Sequence, residues 1–490
     1  MKINTTYPMK ASTCAIAVAI TSHFASAFVS PSTFVPIKDV GRSVSSKQLY
    51  ATIDVNEEAP RDTDTMEEWS YSYGIGRADG VQLVGDNVDG FLDVHVETAQ
   101  DLPAGTSVMY IPNEVILSSN RAIAEFGRLE EAESLLQANG VENEMREFYL
   151  MVKILVELEK GEESPYYHYF NGLPRFFANG PSMTPFCYRC IPPYAARLCQ
   201  KERAKMNHVA FGCKSRVQFL SEKTRGDSFL WEWAFQIVYT RSFEAPDGSG
   251  DLCLYPIGDM FNHATEANAA YVYDQAGNCY VQTTTDVAAG GALTMTYSDP
   301  TNPSYLLARY GFLDESSPAS FCKLGVDWHI SDELINMGYS TSTLLFYKDT
   351  GEVSEQVWDI LLYKYLGEAD AGRQQEFYQA HMSGDYETKQ SYHECYYEQT
   401  REKLLEHIDD ILGELDGLSQ KSAYGGAVAG DDHPRLPLIL RHNDFVRATF
   451  IAVRSYYFPD EQYGESPLSL SSRNMFIGLP QDADASELLT

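Results

Sequence analysis

Asp259, Asn262 and His263 fall within one short run, Pro256–His263 (PIGDMFNH), and Tyr297 follows 34 residues after His263. Taken alone, an Asn-His pair in a loop is often a satisfied turn. A second patch raises its value. Gly290-Gly291 turns into the strand-like ALTMT, which ends at Tyr297, and Tyr310-Gly311-Phe312 closes the segment. A carboxylate, an amide, an imidazole and a phenol in this order suit the alignment of bound molecules. They do not make a metal site. No His-Glu-x-x-His spacing is present, and the tight pair Cys187 and Cys190 lacks a second pair at zinc-site spacing. Reduced structural thiols are the better reading for the nine cysteines.

The elements that must position these residues alternate in character. Short strands and turns are expected first: VQLV (81–84), FLDVHV (91–96) and SVMYI (107–111), with Gly80, Gly85, Gly90 and Gly105 between them. Glu144–Lys160 has apolar residues at helical spacing and stops at Gly161. Further helices are expected near 193–221 and 227–243. Strand character returns at 271–274, 279–285 and 292–297. Beyond Phe312 the chain reads as mostly helical, with Glu394–Leu415 and Phe445–Tyr457 the clearest stretches. Residues 422–432 (SAYGGAVAGDD) read as a flexible connection. The fold class is therefore α+β, a β-fold interrupted by a helical insert and followed by an all-α C-terminal domain. The 490 residues suggest two or three domains, and 44% hydrophobic residues can bury a core.

Asp-x-x-Asn-His, a Gly turn, a strand ending in Tyr, then Tyr-Gly-Phe resembles the SET domain of protein methyltransferases. More narrowly, it looks like the subgroup that contains the Rubisco large-subunit lysine methyltransferase. Glu162–Tyr167 (EESPYY) running to Leu173-Pro174 is similar to that subgroup's helical insert, and Trp233–Phe243 (WAFQIVYTRSF) to its helix ending in a Thr/Ser-Arg pair. The resemblance implies S-adenosyl-L-methionine as cofactor and a lysine of a partner protein as target. Rubisco's large subunit or another plastid enzyme such as aldolase would be the protein substrate. A histidine target and a non-catalytic SET-fold binding module are the alternatives. It further implies that Gly90, Phe91, Asn262, His263, Tyr310 and Phe312 hold the cofactor. Tyr297 would be catalytic, and Arg241 and Asp259 would shape the substrate side. Without the resemblance, Tyr297 and Phe312 read as core residues and Arg241 as half of a surface ion pair. The sequence departs from the family's Glu-Gly-x-Gly-Leu loop. Its nearest counterpart is Asp89-Gly90-Phe91-Leu92, with Asp93 where a second glycine is expected. Gly90 could equally end a hairpin. Ser298 stands where a glycine commonly follows the tyrosine.

The resemblance places a SET domain at about 66–320, with its insert at about 120–245, and a substrate-binding-like helical domain at 321–490. Ahead of it, residues 1–27 have signal-peptide form: Lys2 and Lys10, the apolar run Cys14–Ile20, then Ala25-Ser26-Ala27. The run is shorter than the roughly 20 residues that span a bilayer, so no membrane association is expected after processing. Residues 28–50 are Ser-rich and carry Lys38, Arg42 and Lys47 against a single acid, Asp39. The junction at Phe28 resembles the bipartite presequence of algae with secondary plastids, which implies the plastid, with secretion as the alternative. Residues 54–68 turn acidic and read as a solvated linker, so folded structure is expected from about Trp69. A formal charge of −32 argues against nucleic acid as a partner.

Overall fold

The computed structural model describes residues 53–88, 90–298, 301–321, 332–339, 343–429 and 433–459. The signal-like and transit-like segments and Asp89 lie outside them. Small, mostly antiparallel sheets and a mainly helical remainder give the α+β class expected. Val81–Val88 pairs with Phe91–Thr98 as a hairpin in unbroken register from Val81↔Thr98 to Val88↔Phe91. A four-stranded sheet runs Gly76–Arg77, Ser107–Ile111, Cys279–Thr283, Ala269–Tyr273. Cys279–Thr283 alternates buried and half-buried positions, as a strand with one face on the core must. Between the strands Leu117–Ser118 and Phe243–Glu244 every element is helical.

Two helices of that insert carry much of the core. Met145–Glu159 buries Phe148 to Val152, Ile154 and Leu155 completely. Ser228–Arg241, capped by Asp227 through the Leu230 amide, buries Trp231, Phe235, Ile237 and Val238. Each such aliphatic or aromatic side chain contributes about 1.5–3 kcal/mol on burial. The helix expected over 193–221 ends earlier. It is α-helical only over Pro193–Met206 and then widens into a π turn at Asn207–Gly212.

Three expectations are corrected. Residues 54–68 are not a solvated linker, because Ile53 and Met66 are buried and Asp62 caps the helix Thr63–Ser72. The acidic side chains lie on the outer side of a segment whose apolar residues pack inward. Residues 422–429 continue the helix Tyr397–Ala429 rather than forming a flexible connection. The region after 320 is not purely helical, since Leu345–Tyr347 pairs with Ala319–Phe321.

Glu394–Leu415 is not one helix either, because the chain breaks at Tyr396 between Tyr386–Cys395 and Tyr397–Ala429. The last described helix, Leu436–Tyr457, is tied to the SET-like part by buried polar contacts. Ser304 Oγ meets His442 Nε2 at 2.9 Å, and Asn443 donates to the Cys190 carbonyl at 2.8 Å. None of the described helices is long and apolar enough to cross a membrane.

Candidate functional site

Asp259 follows a sharp backbone turn. Ile257 has φ +67°, a left-handed conformation unusual for a β-branched residue. At Gly258 a Cβ would stand 2.7 Å from Ile111 Cδ1, so the bend can pass close under the sheet. The turn directs the Asp259 carboxylate inward, where its side chain is 0% exposed. Oδ2 accepts from Arg241 Nε at 2.6 Å and from the Tyr169 hydroxyl at 3.0 Å. Arg241 Nη2 also donates to the Asp259 carbonyl at 2.8 Å. Burial opposes the Arg241 charge, but the adjacent carboxylate holds its pKa above the ordinary guanidinium value. Arg241 is thus half of a buried ion pair rather than a surface one.

Asn262–His263 then forms a two-residue parallel bridge with Thr294–Met295. That pairing brings Tyr297, two residues past Met295, beside His263. The Tyr297 amide donates to His263 Nδ1 at 3.1 Å, and its phenol donates to the Phe261 carbonyl at 2.5 Å. The Tyr310 hydroxyl donates back to the Tyr297 carbonyl at 3.3 Å. Phe312 lies 5.5 Å, centroid to centroid, from His263 and edge-on to Tyr297 at 6.0 Å. Both Tyr310 and Phe312 owe their place to the short helix Pro303–Tyr310. Asn302 caps its start through the Tyr305 amide, and Gly311 ends it at φ +82°. A Cβ at Gly311 would strike the backbone of Ala178 and Asn179 within 3 Å.

These residues face a cavity of about 340 Å³. Phe91, Arg241, Asp259, Asn262, His263, Tyr297, Tyr310 and Phe312 all line it. Gly90 does not. It turns the hairpin at φ +90°, with its amide bonded to Asn87 Oδ1 and open space where a Cβ would be. Its glycine meets the demand of the left-handed turn.

Further residues line the cavity or brace its wall. Arg61 donates from Nε to the Gly172 carbonyl at 2.9 Å and from Nη1 to the Leu92 carbonyl at 2.6 Å. Burial and the neighbouring Arg241 lower its pKa to about 9, so it remains charged at neutral pH. Asp93, the residue in place of the expected glycine, accepts the Asn262 side-chain amide on Oδ2 at 2.8 Å. Phe176 stacks on Phe91 at 3.6 Å. Arg435, just before the last helix, bonds the Phe177 carbonyl at 2.9 Å, pairs with Glu57 and lies over the Phe176 ring. Among the described residues no cluster of His, Cys, Asp or Glu could hold a metal ion, and every described cysteine is free.

Residues 94–298 match the SET-domain family model. The match begins at Val94, one residue after the departure at Asp93. Among solved structures, the fold is similar to the SET domain of LSMT bound to lysine and AdoHcy. That likeness has a TM-score of 0.54 and 12% identity, and it covers 85% of this chain and 99% of the other. It is also similar to Rubisco LSMT bound to sinefungin and monomethyllysine, with TM-score 0.53 and 13% identity over 84% and 97% of the two chains. A curated relative, SET domain-containing protein 4 of Artemia parthenogenetica, is 25% identical over 185 residues. Those residues are 35% of this chain, and the match spans 45% of that relative's length.

Proposed function

We propose that the protein is an S-adenosylmethionine-dependent protein N-methyltransferase that acts on lysine. The observation that carries this reading is the Tyr297 phenol, fixed on the Phe261 carbonyl at the wall of a cavity that Asn262 and His263 also line. The cavity suits the cofactor in size and chemistry. Its volume of about 340 Å³ falls in the small-molecule range of roughly 300–1,000 Å³. Three guanidiniums (Arg61, Arg241, Arg441), two carboxylates (Asp93, Asp259) and the Asn262 amide line it alongside the rings of Phe312, Tyr310 and Phe91, which suit an amino-acid group and an aromatic base.

The cofactor supplies an electrophilic methyl on sulfonium, and the protein supplies alignment and electrostatics. A lysine amine must arrive unprotonated, against a free pKa of about 10.4. Low-polarity surroundings disfavour the ammonium. The rings of Phe243 and Tyr271 behind Tyr297 provide such surroundings, with centroids 5.5 Å (Phe243–Tyr297) and 5.3 Å (Phe243–Tyr271) apart. Tyr297 itself stays protonated, because burial raises its pKa above the ordinary phenol value despite Arg241. It therefore orients groups through its oxygen and does not act as a base. A histidine target needs the same alignment without the deprotonation.

The presequence-like residues 1–50 support action in the plastid, on a protein such as the Rubisco large subunit. A binding-only SET module is the second reading, and Asp93 in the loop is the observation that favours it. The test is to incubate the full chain with methyl-labelled S-adenosylmethionine and isolated stromal proteins, then locate the label by tandem mass spectrometry. Label on a lysine side chain, absent with Tyr297→Phe, supports the enzyme. No label on any protein supports the binding module.

A further inference from the structure

At one end of the cavity, opposite charges stand side by side. Arg61 spends Nε and Nη1 on the carbonyls of Gly172 and Leu92, which holds its guanidinium against the backbone that leads into Asp93. Asp93 takes the Asn262 amide on Oδ2. No described residue donates to its other oxygen, Oδ1. The same bond fixes the Asn262 amide with its nitrogen toward Asp93, so the Asn262 Oδ1 atom remains an acceptor. Both side chains line the cavity together with Arg61 and Arg241. The Arg61 guanidinium and a paired acceptor set within one small space form a receptor for a zwitterion, an ammonium and a carboxylate on one carbon. A glycine at position 93 would leave only backbone and the Asn262 amide for the ammonium.

We infer that Asp93 is a specificity-determining residue that receives the ammonium of the cofactor's amino-acid end, with Asn262 locked beside it as second acceptor. This rests on the reading of the cavity as an S-adenosylmethionine site. The departure from the family loop then replaces one mode of cofactor recognition with another, and it does not weaken the site. The carboxylate selects ligands by the presence of an amino group, which a backbone carbonyl does far less strongly.

The experiment is calorimetric titration of the full chain and its Asp93→Asn variant with three ligands. These are S-adenosylmethionine, S-adenosylhomocysteine and the analogue of the latter that lacks the α-amino group. An asparagine at 93 keeps an acceptor for Asn262 and removes the charge. Affinity for both amino-bearing ligands is expected to fall about tenfold or more, as loss of a charge-assisted hydrogen bond requires. The deaminated analogue should bind both proteins within about twofold, since it never meets the charge. Asp93→Ser should reproduce the pattern, and thermal unfolding of each variant confirms that it is folded. Equal losses for all three ligands would mean that Asp93 only orients Asn262, and unchanged binding that it does nothing; either overturns the inference. A folded wild-type chain that binds the deaminated analogue and gains nothing from the amino group overturns it while the cofactor reading survives. A folded wild-type chain that binds none of the three overturns both.

Discussion

His263 Nδ1 accepts the backbone amide of Tyr297 at 3.1 Å, which leaves the ring proton on Nε2. Nε2 in turn faces Asp314 Oδ2 at 3.4 Å, within electrostatic reach but outside hydrogen-bond geometry. Asp314 is itself pinned by Ser316 and Thr265, whose hydrogen bonds hold its pKa below the usual carboxylate value against the opposing effect of burial. One imidazole thus joins the strand-end tyrosine to the loop after Phe312, and its neutral form is the one the contacts require. Burial lowers its pKa in spite of Asp314.

That arrangement has a direction in pH. The folded pKa of His263 lies below the ordinary imidazole value, as do those of His442 and His407, both about 4 and both lowered chiefly by burial. An unfolded chain binds these protons more readily, at about 6.5. The stability contributed by the neutral rings is therefore present above about 6.5 and lost as pH falls toward 4. Thermal unfolding across that window should show the loss, and His442→Gln should flatten its slope while lowering Tm at neutral pH. An unchanged slope in the variant would remove His442 from the account.

Tyr297→Phe keeps the ring contacts to His263, Phe312 and Tyr310 and deletes the hydroxyl on the Phe261 carbonyl. The loss in stability should be about 1 kcal/mol, the net worth of one hydrogen bond. Methyl transfer, followed with labelled cofactor, should fall by about 100-fold or more. Cofactor affinity should stay within about threefold, because the backbone amide that meets His263 is untouched.

Arg241→Gln should be the most destabilising of these changes. It strands the Asp259 carboxylate, whose side chain is fully buried and whose Oδ1 already lacks a partner. Breaking a buried pair from one side costs about 3–5 kcal/mol. Urea unfolding at neutral pH measures it, and the Asp259→Asn, Arg241→Gln double variant should recover part of the loss.

Little of Arg61 could have been read from the chain. It lies in a stretch whose acids suggest solvation, and only the burial of Ile53, Met66 and Trp69 shows why that stretch folds onto the core. The PIGDMFNH run and Tyr297 were legible because their order is set by one local device, a parallel bridge two residues long. The strand SVMYI was legible from its apolar run between turn residues, and the helix Met145–Glu159 from its periodicity. Gly90 was open to two readings because a left-handed hairpin turn and a ligand-facing loop both ask for glycine. Asp93 looked like damage for a related reason, since its bond to Asn262 joins residues 169 positions apart.

Arg435 couples the last described helix to the cavity wall through the Phe177 carbonyl, Glu57 and the Phe176 ring. Its side chain is only 7% exposed. Arg435→Ala should therefore lower stability by about 1–3 kcal/mol through the bonds it leaves unmade. It should also weaken cofactor binding, because Phe176 supports Phe91 in the cavity. A matched change at the half-exposed Lys403, which pairs with the surface acids Glu368 and Glu406, should do neither.

The cavity beside Asn262 and Tyr297 is proposed as a working S-adenosylmethionine site. Calorimetric titration of the full chain with S-adenosylmethionine tests it most directly, alongside Asn262→Ala, which removes the amide held by Asp93. The account predicts saturable one-to-one binding by the wild-type chain and a loss of about tenfold or more in the variant. A folded wild-type chain that takes up no S-adenosylmethionine would contradict it, and the SET fold would then serve to bind a partner without chemistry.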